Sequence, residues 1–404
     1  MTRAAPFAIF FVVAATVFGG MHYYLWARLA RDTGLPDGWR RAAAVLLALA
    51  AIAVPLGMVI ARALSFRATR GLVAALFTWM GAAFLLFAAL LVTDVARLAF
   101  AAVRALAALA ALGGRAAAPP DLARRAFAAR ALAGSAVVLA GAATARAVVV
   151  ATGEPRVTEV PVRLARLPPA LSGLTIAQIS DLHVGPTIRE KHVRRVVDLT
   201  NDLRPDAIVI TGDLVDGSVA ELRHATEYLA RLRARHGVFF VTGNHDYYSG
   251  AHAWVEELAR YGVRPLRGAR ATIGDRGSGG ASLDLAGVDD WSVSHASGGR
   301  WPALDAALAG RDPDRSLVLL AHQPRGVAEA VRAGVELQLS GHTHGGQIFP
   351  WTLVVGAVYP YCKGLYHHRE DGAEGQIYVS CGTGYWGPPM RLGAPAEVAK
   401  IVLI

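Results

Sequence analysis

Cysteine is scarce. Cys362 and Cys381 are the only two thiols in 404 residues, too few for a disulfide-built scaffold and without the spacing of a zinc knuckle. They are left either to pair in an oxidising compartment or to serve as two small core side chains. Lysine-rich runs and basic residues interleaved with aromatics are also missing. The net charge of +10 and pI near 10 therefore do not point to a nucleic-acid partner. Charge itself is absent where it matters most: no Asp, Glu, Lys or Arg falls in Ala4–Ala27, Ala42–Ala61 or Gly71–Thr93. Each run reaches the ~20 residues that cross a bilayer as a helix. With 54% hydrophobic residues and mean hydropathy +0.36, the chain is too apolar for an ordinary soluble protein.

A fourth apolar run, Ala131–Gly153, is interrupted only by Arg146, which lies near enough to one end to snorkel toward the headgroups. Residues 1–155 thus read as a transmembrane region of about four helices, near 4–27, 42–61, 71–93 and 131–153. Leu98–Gly114 is short and broken by Arg104, and reads as an interfacial or cytoplasmic helix. After about residue 155 the texture changes to short apolar runs, Gly/Pro/Asp turns and amphipathic stretches. Residues 156–170 read as a linker and 171–404 as a soluble domain.

In that domain strand-like and helix-like segments alternate: LTIAQIS, the helical Arg189–Leu203, DAIVITGD, the helical Val219–His236, VFFVTGNHD and the helical His252–Tyr261. This is the rhythm of β-α-β units, an α/β class, in which ligands lie beyond the carboxyl ends of the strands. The polar clusters fall at those ends. Asp181 and His183 follow the first strand, Asp213 the second, and Asn244, His245 and Asp246 the third. His322 closes LVLLAHQP, and His342 with His344 closes the run Val335–Leu339 in a glycine-rich turn. Alternate residues at a strand end point to one side, so His342 and His344 can share a target.

Oxygen and imidazole donors without thiolate suit manganese, iron or zinc rather than a closed structural zinc site. Seven such donors are too many for one ion and about right for two that share a carboxylate. Two ions about 3.5–4 Å apart serve phosphoester hydrolysis.

At this point the motifs SDLH, TGDLVD, GNHD, AHQP and SGHTHGGQ resemble, in order and spacing, those of the calcineurin-like metallophosphoesterases, in particular a membrane-associated bacterial branch. The resemblance runs from Leu171 to Ile404. It implies a two-sheet β-sandwich flanked by helices, with Asp181, His183 and His344 on one metal, Asn244, His322 and His342 on the other, and Asp213 bridging both. It further implies that His245 protonates the leaving oxygen or stabilises the transition state, and that Asp246 orients it.

The function this implies is a membrane-anchored phosphoesterase using two divalent ions, Mn, Fe or Zn. A metal-bridging hydroxide attacks a phosphomonoester, phosphodiester or pyrophosphate bond, with lipid or lipid-linked substrates among the candidates. A non-catalytic membrane sensor or scaffold that binds phosphate ligands, and a nuclease of the same superfamily, remain alternatives. His22, His192, His224, His236, His252, His295, His367 and His368 match no motif and read as structural. Arg391 reads either as a group that reaches an anionic substrate or as a surface salt-bridge partner.

Residues 124–129, RRAFAA, precede the fourth run and resemble a twin-arginine export signal. Read instead as a positive-inside flank, they place Arg124 and Arg125 on the same cytoplasmic side. Loops after the first and third runs carry ten arginines, against Arg62, Arg67 and Arg70 in the loop between. The expected placement is a multi-pass cell-membrane protein with an extracytoplasmic catalytic domain.

Overall fold

The protein is described by a computed structural model covering residues 4–64, 66–110, 122–274, 280–294 and 301–404. It separates into two compact units, Met1–Arg146 and Ala147–Ile404.

The first unit is helical: α1 (Ala4–Trp26), α2 (Asp37–Ala63), α3 (Phe66–Ala110) and most of α4 (Leu122–Thr152). Ala and Leu dominate these segments, and both are strong helix formers. Where water is absent, a helix also satisfies every backbone group internally. Among the described residues, three helical segments are long and apolar enough to cross a membrane: Asp37–Ile60, Ala68–Ala107 and Ala126–Thr152. The buried His22 of α1 is satisfied, since its Nε2 lies 3.0 Å from the Trp79 indole N–H and its Nδ1 2.8 Å from the Phe18 carbonyl.

Leu98–Gly114 does not form the separate helix expected. Its described part continues α3 to Ala110, and 111–114 lie outside the described residues. At 1.5 Å per residue the 45 residues of α3 extend roughly 68 Å, about twice the hydrocarbon thickness. A continuous helix cannot turn back, so within the described residues 98–110 add no helix separate from α3.

The second unit is a mixed α/β sandwich of two six-stranded sheets. Its strands are β1 (Arg156–Val162), β2 (Thr175–Ile179), β3 (Ala207–Thr211), β4 (Val238–Val241), β5 (Val263–Pro265), β6 (Ala269–Gly274), β7 (Ser282–Gly287), β8 (Leu317–Leu320), β9 (Leu337–Ser340), β10 (Gly364–Glu370), β11 (Ala373–Val379) and β12 (Glu397–Leu403). One sheet runs β1-β12-β2-β3-β4-β5 and the other β10-β11-β9-β8-β7-β6. The parallel series β2-β3-β4-β5 and β7-β8-β9 aim their carboxyl ends at one region.

Helices α5 (Glu190–Asp202), α6 (Val219–Thr226) and α8 (Ala251–Arg260) follow β2, β3 and β4 as the periodicity predicts. The expected Val219–His236 helix is shorter, because its tail becomes the 3₁₀ turn Glu227–Arg231. The remaining helices are α7 (Asn244–Tyr248), α9 (Trp291–Ser294), α10 (Pro302–Leu308), α11 (Val327–Arg332) and α12 (Trp351–Val358).

The stretch 156–170 is not the linker expected. Arg156–Val162 is β1, paired in parallel with β12 from Arg156↔Glu397 to Val162↔Leu403. Its alternation buries Val160 and Val162, a period-two signal hidden by the charged and proline residues between them. Only Gly153–Pro155 separate α4 from this strand.

The faces of the two sheets meet in one apolar core: Ile176, Val209 and Phe239 from one sheet pack with Leu285, Val318 and Leu337 from the other. A polar stitch crosses the same layer. The Glu397 carboxylate on β12 accepts from Thr158 Oγ1 on β1, from Tyr378 Oη on β11 and from the Cys381 amide, all within 2.9 Å. Cys362 and Cys381 are both free and buried, and burial beside Glu397 pushes the Cys381 thiol up to about 12. Tyr378→Phe should remove one donor from that buried carboxylate at a cost of about 1–3 kcal/mol. A melting temperature a few degrees lower for the detergent-solubilised chain is the expected reading, and an unchanged one would show that the stitch contributes nothing.

Candidate metal centre

Each donor sits in the first residues after a parallel strand. Asp181 and His183 follow β2, Asp213 follows β3, Asn244 opens α7 after β4, His322 follows β8, and His342 and His344 follow β9. Strand pairing carries on beyond the strands, with the Asp181 amide donating to the Gly212 carbonyl, His183 to Asp213 and Gly341 to His322. Across the sandwich the His342 amide donates to Asp181 Oδ1 and Gln178 Nε2 to the Ser340 carbonyl, joining the tips of the two sheets.

The backbone there is bent hard. Asp181, His183, Asp213, His342 and His344 all have φ between 49° and 71°, a left-handed region that costs a non-glycine residue roughly 1–3 kcal/mol and persists where the surroundings over-determine it. Gly341 is required for a different reason: a Cβ there would run into Ser180 Oγ and Asp181 Oδ2.

The side chains form two clusters joined by a third. Asp181, His183 and His344 bring one donor atom each within 4.8 Å of one another, as do Asp213, His322 and His342, and the linking group is His183, Asp213 and His245. His183 Nε2 lies 3.1 Å from His344 Nε2, and His344 Nε2 is 3.6 Å from Asp181 Oδ1. His322 Nε2 lies 3.2 Å from His342 Nδ1. Asp213 Oδ2 faces both clusters, 3.8 Å from His183 Nε2 and 3.1 Å from His322 Nε2.

The nitrogens that point away are also engaged. His183 Nδ1 meets Asp216, His322 Nδ1 donates to the Thr211 carbonyl, His342 Nε2 is 3.4 Å from the Tyr359 hydroxyl, and His344 Nδ1 is 3.2 Å from Arg391 Nη2. Outer partners of this kind fix ring orientation around a metal. Asn244 completes the set, because its buried Oδ1 has no hydrogen-bond donor among the described residues. A buried amide oxygen left without a partner is costly, and a cation placed there would relieve it.

The electrostatics divide the four histidines, raising His183 and His322 beside the carboxylates and lowering His342 and His344. Burial and the neighbouring His322 push His342 down to about 3, and burial with His183 pushes His344 well below the usual imidazole range. Both therefore present lone pairs, as metal ligands must. Burial opposes charging His183, but the Asp216, Asp213 and Asp181 carboxylates hold it up at about 9.

Two residues stand elsewhere than expected. Asp246 does not touch the His245 ring. Its carboxylate accepts from the amides of Gly243 (2.7 Å), Leu214 (2.9 Å) and Asp213 (3.0 Å), tying the turn after β3 to the turn after β4. It is Asp216 whose Oδ1 lies 2.7 Å from His245 Nδ1. The signal was present as the second aspartate of TGDLVD. Burial opposes ionisation of Asp216, but His183 and His245 hold its carboxyl well below the usual range.

Arg391 is neither on the surface nor turned to a ligand. It is fully buried, donates to the carbonyls of Gly384, Cys381 and Ala394, and burial lowers it to about 10. It braces the turn that carries His344.

The remaining described histidines lie outside the cluster. His192 is buried with Nε2 3.1 Å from the Thr383 carbonyl, His224 pairs with Glu190 and Glu227, and His368 lies 2.7 Å from the Tyr361 hydroxyl. His236, His252 and His367 are exposed or half-buried away from it. His295 lies outside the described residues. Tyr248 and Trp386 ring the mouth, each with its centroid 5.4 Å from that of His245.

A family profile described as calcineurin-like phosphoesterase matches residues 174–346. Among curated proteins, the transmembrane protein with metallophosphoesterase domain of Bos taurus is 42% identical over 257 residues, 62% of this chain and 57% of that protein. The protein of the same name from Danio rerio is 38% identical over 256 residues, with the same two shares. The chain thus spans a little over half the length of these relatives. A metallophosphoesterase of Aquifex aeolicus is 35% identical over 231 residues, 57% of this chain and 85% of that one.

The two aspartates behind the cluster should separate on substitution. Asp246→Asn replaces an acceptor of four amide protons and should lower the melting temperature of metal-free protein. Asp216→Asn removes the carboxylate paired with His183 and His245, so it should also lower that temperature, and in addition weaken metal affinity about 10–100-fold, read by titration with manganese.

Proposed function

The chain belongs to the calcineurin-like metallophosphoesterases, and from that premise we propose that it is a membrane-anchored phosphoesterase using two divalent ions. One observation carries the reading: five carboxylate and imidazole side chains from the ends of β2, β8 and β9 gather around the Asp213 carboxylate at the end of β3, and the buried Asn244 Oδ1 at the end of β4 has no donor among the described residues. Asp181, His183 and His344 would hold one ion, Asn244, His322 and His342 the other, and Asp213 both. The donor set suits manganese, iron or zinc. When bound, the ions supply Lewis acidity toward the phosphoryl oxygens and a nucleophile from water at neutral pH.

The chain's own residues provide the rest. His245, its Nδ1 engaged by Asp216, presents its other nitrogen to protonate the leaving oxygen. Asp246 keeps Asp213 and Asn244 in register by clamping the turns that bear them. Mono-, di- and pyrophosphate esters are all within reach of this chemistry, lipid-linked ones included. Purified chain loaded with manganese should hydrolyse a chromogenic phosphomonoester or diester. Failure on both over a broad pH range would leave a phosphate-binding sensor.

Asp213→Asn should lose both ions, whereas His245→Asn should keep them and turn over more slowly by roughly 10²–10⁴. Elemental analysis of the two variants separates the roles, and a metal-free His245→Asn would make that histidine a ligand.

The catalytic unit is proposed to lie outside the cytoplasm, with α1, α2, α3 and α4 as four crossings. The unbroken course of α3 supports that count, since an additional span at 98–114 would reverse the parity. A reporter fused after Ile404 should be active only outside. Its loss when Arg124 and Arg125 become Lys, which keeps the charge, would indicate a receptor that reads paired arginines.

A further inference from the structure

The metal centre opens beside a surface that the reaction does not explain. Helix α12 reads WTLVVGAV, contains no charge and has no buried residue. Trp351, Leu353 and Val358 are 51%, 65% and 65% exposed, and Phe349 just before the helix and Trp386 beside it are about half exposed. An apolar patch of this kind on one face of a folded unit marks an interaction surface.

We propose that this face, Phe349–Val358 with Trp386, docks onto the lipid bilayer, so that the metal centre faces phosphoesters at the headgroup level. What covers it is indicated by the chain itself. The last residues of α4, a helix apolar enough to cross a membrane, belong to this unit: Ala151 packs with Ile188 and Tyr385. From that point a string of backbone hydrogen bonds leads to the patch. The Arg391 amide donates to the Ala147 carbonyl, Leu392 to Gln347, and Phe349 to Leu392. The Gln347 side chain donates to the Trp386 carbonyl and accepts from its amide. The exit of α4 and the base of α12 are therefore held by the same segment, 385–393.

The composition fits an interface rather than a span. Eight residues of helix measure about 12 Å, enough to lie in the headgroup boundary with an apolar face inward. Trp and Tyr prefer that zone, and Trp351, Trp386 and Tyr359 are all here. Exposed cations stand at the edge: Arg325 lies over the Tyr359 ring at 5.8 Å, and Lys363 donates to the Gly393 carbonyl, both placed to meet lipid phosphates. The patch also reaches the reacting centre, since Tyr359, which ends α12, stacks edge-on against His342 with centroids 5.9 Å apart. The bearing on substrate rests on the phosphoesterase reading, but the docking itself does not.

The test uses the full chain reconstituted at one copy per lipid nanodisc. Nitroxides are attached at Leu353→Cys and Val358→Cys, with Asp314→Cys as the aqueous reference, Cys362 and Cys381 being buried. Labels at 353 and 358 should collide with oxygen more than with a water-soluble nickel chelate, relative to the label at 314. Chelate access equal to the reference, or shielding from both reagents as under a protein partner, would overturn the proposal. In a second arm, Leu353, Val354 and Val358 are all changed to Ser. Turnover of a phosphoester carried on a lipid in the same disc should fall about tenfold or more, while turnover of a soluble chromogenic ester stays at the parent's rate. Equal rates for parent and variant on the lipid ester would count against it. A chain inactive on every ester would fail the phosphoesterase reading and leave the collision result to decide docking.

Discussion

The buried carboxylate of Asp213 is the constraint on which the sandwich unit depends. It stands 3.8 Å from His183 Nε2 and 3.1 Å from His322 Nε2, and those two histidines come from different sheets of the sandwich. A carboxylate buried among imidazoles is tolerable only if opposite charge meets it from each side. The two sheets must therefore bring their carboxyl ends to the same place, and the apolar layer of Ile176, Val209, Leu285, Val318 and Leu337 sets how closely they do so.

Around that carboxylate, the surrounding shell is built to resist collapse rather than to add contacts. Five donor residues are held with left-handed φ, and each turn is braced by a group that touches no reacting atom. Asp246 gathers four amides, Arg391 gathers five carbonyls, and Gly341 admits Asp181 where a Cβ would exclude it. Strained backbone held by satisfied polar groups places ligands more accurately than flexible loops would. The cost is several buried charges whose neighbours must all be present at once.

The helical unit follows a different rule. Its helices are built from apolar Ala/Leu-rich sequence that favours the helix, and polar groups pair within the unit, as Arg28 does with Asp32 and Asp94 and His22 with Trp79.

What the sequence by itself determined is whatever depends on short range. Runs free of charge marked the helices, short apolar runs between turns marked β2, β3 and β4, and the residues of the candidate metal centre were legible because each sits within four residues of a strand end. The role of Asp246 was misread because motif order says which residues are neighbours in the chain, not which ring nitrogen a carboxylate meets, and Asp216 reaches His245 across 29 positions. Arg391 could not be placed because nothing local distinguishes an exposed guanidinium from one buried against Gly384, Cys381 and Ala394. β1 was hidden because its partner, β12, lies about 240 residues away. Only tertiary structure decided these points, since burial and long-range pairing belong to the packed chain, while periodicity and turn chemistry are already present in ten consecutive residues.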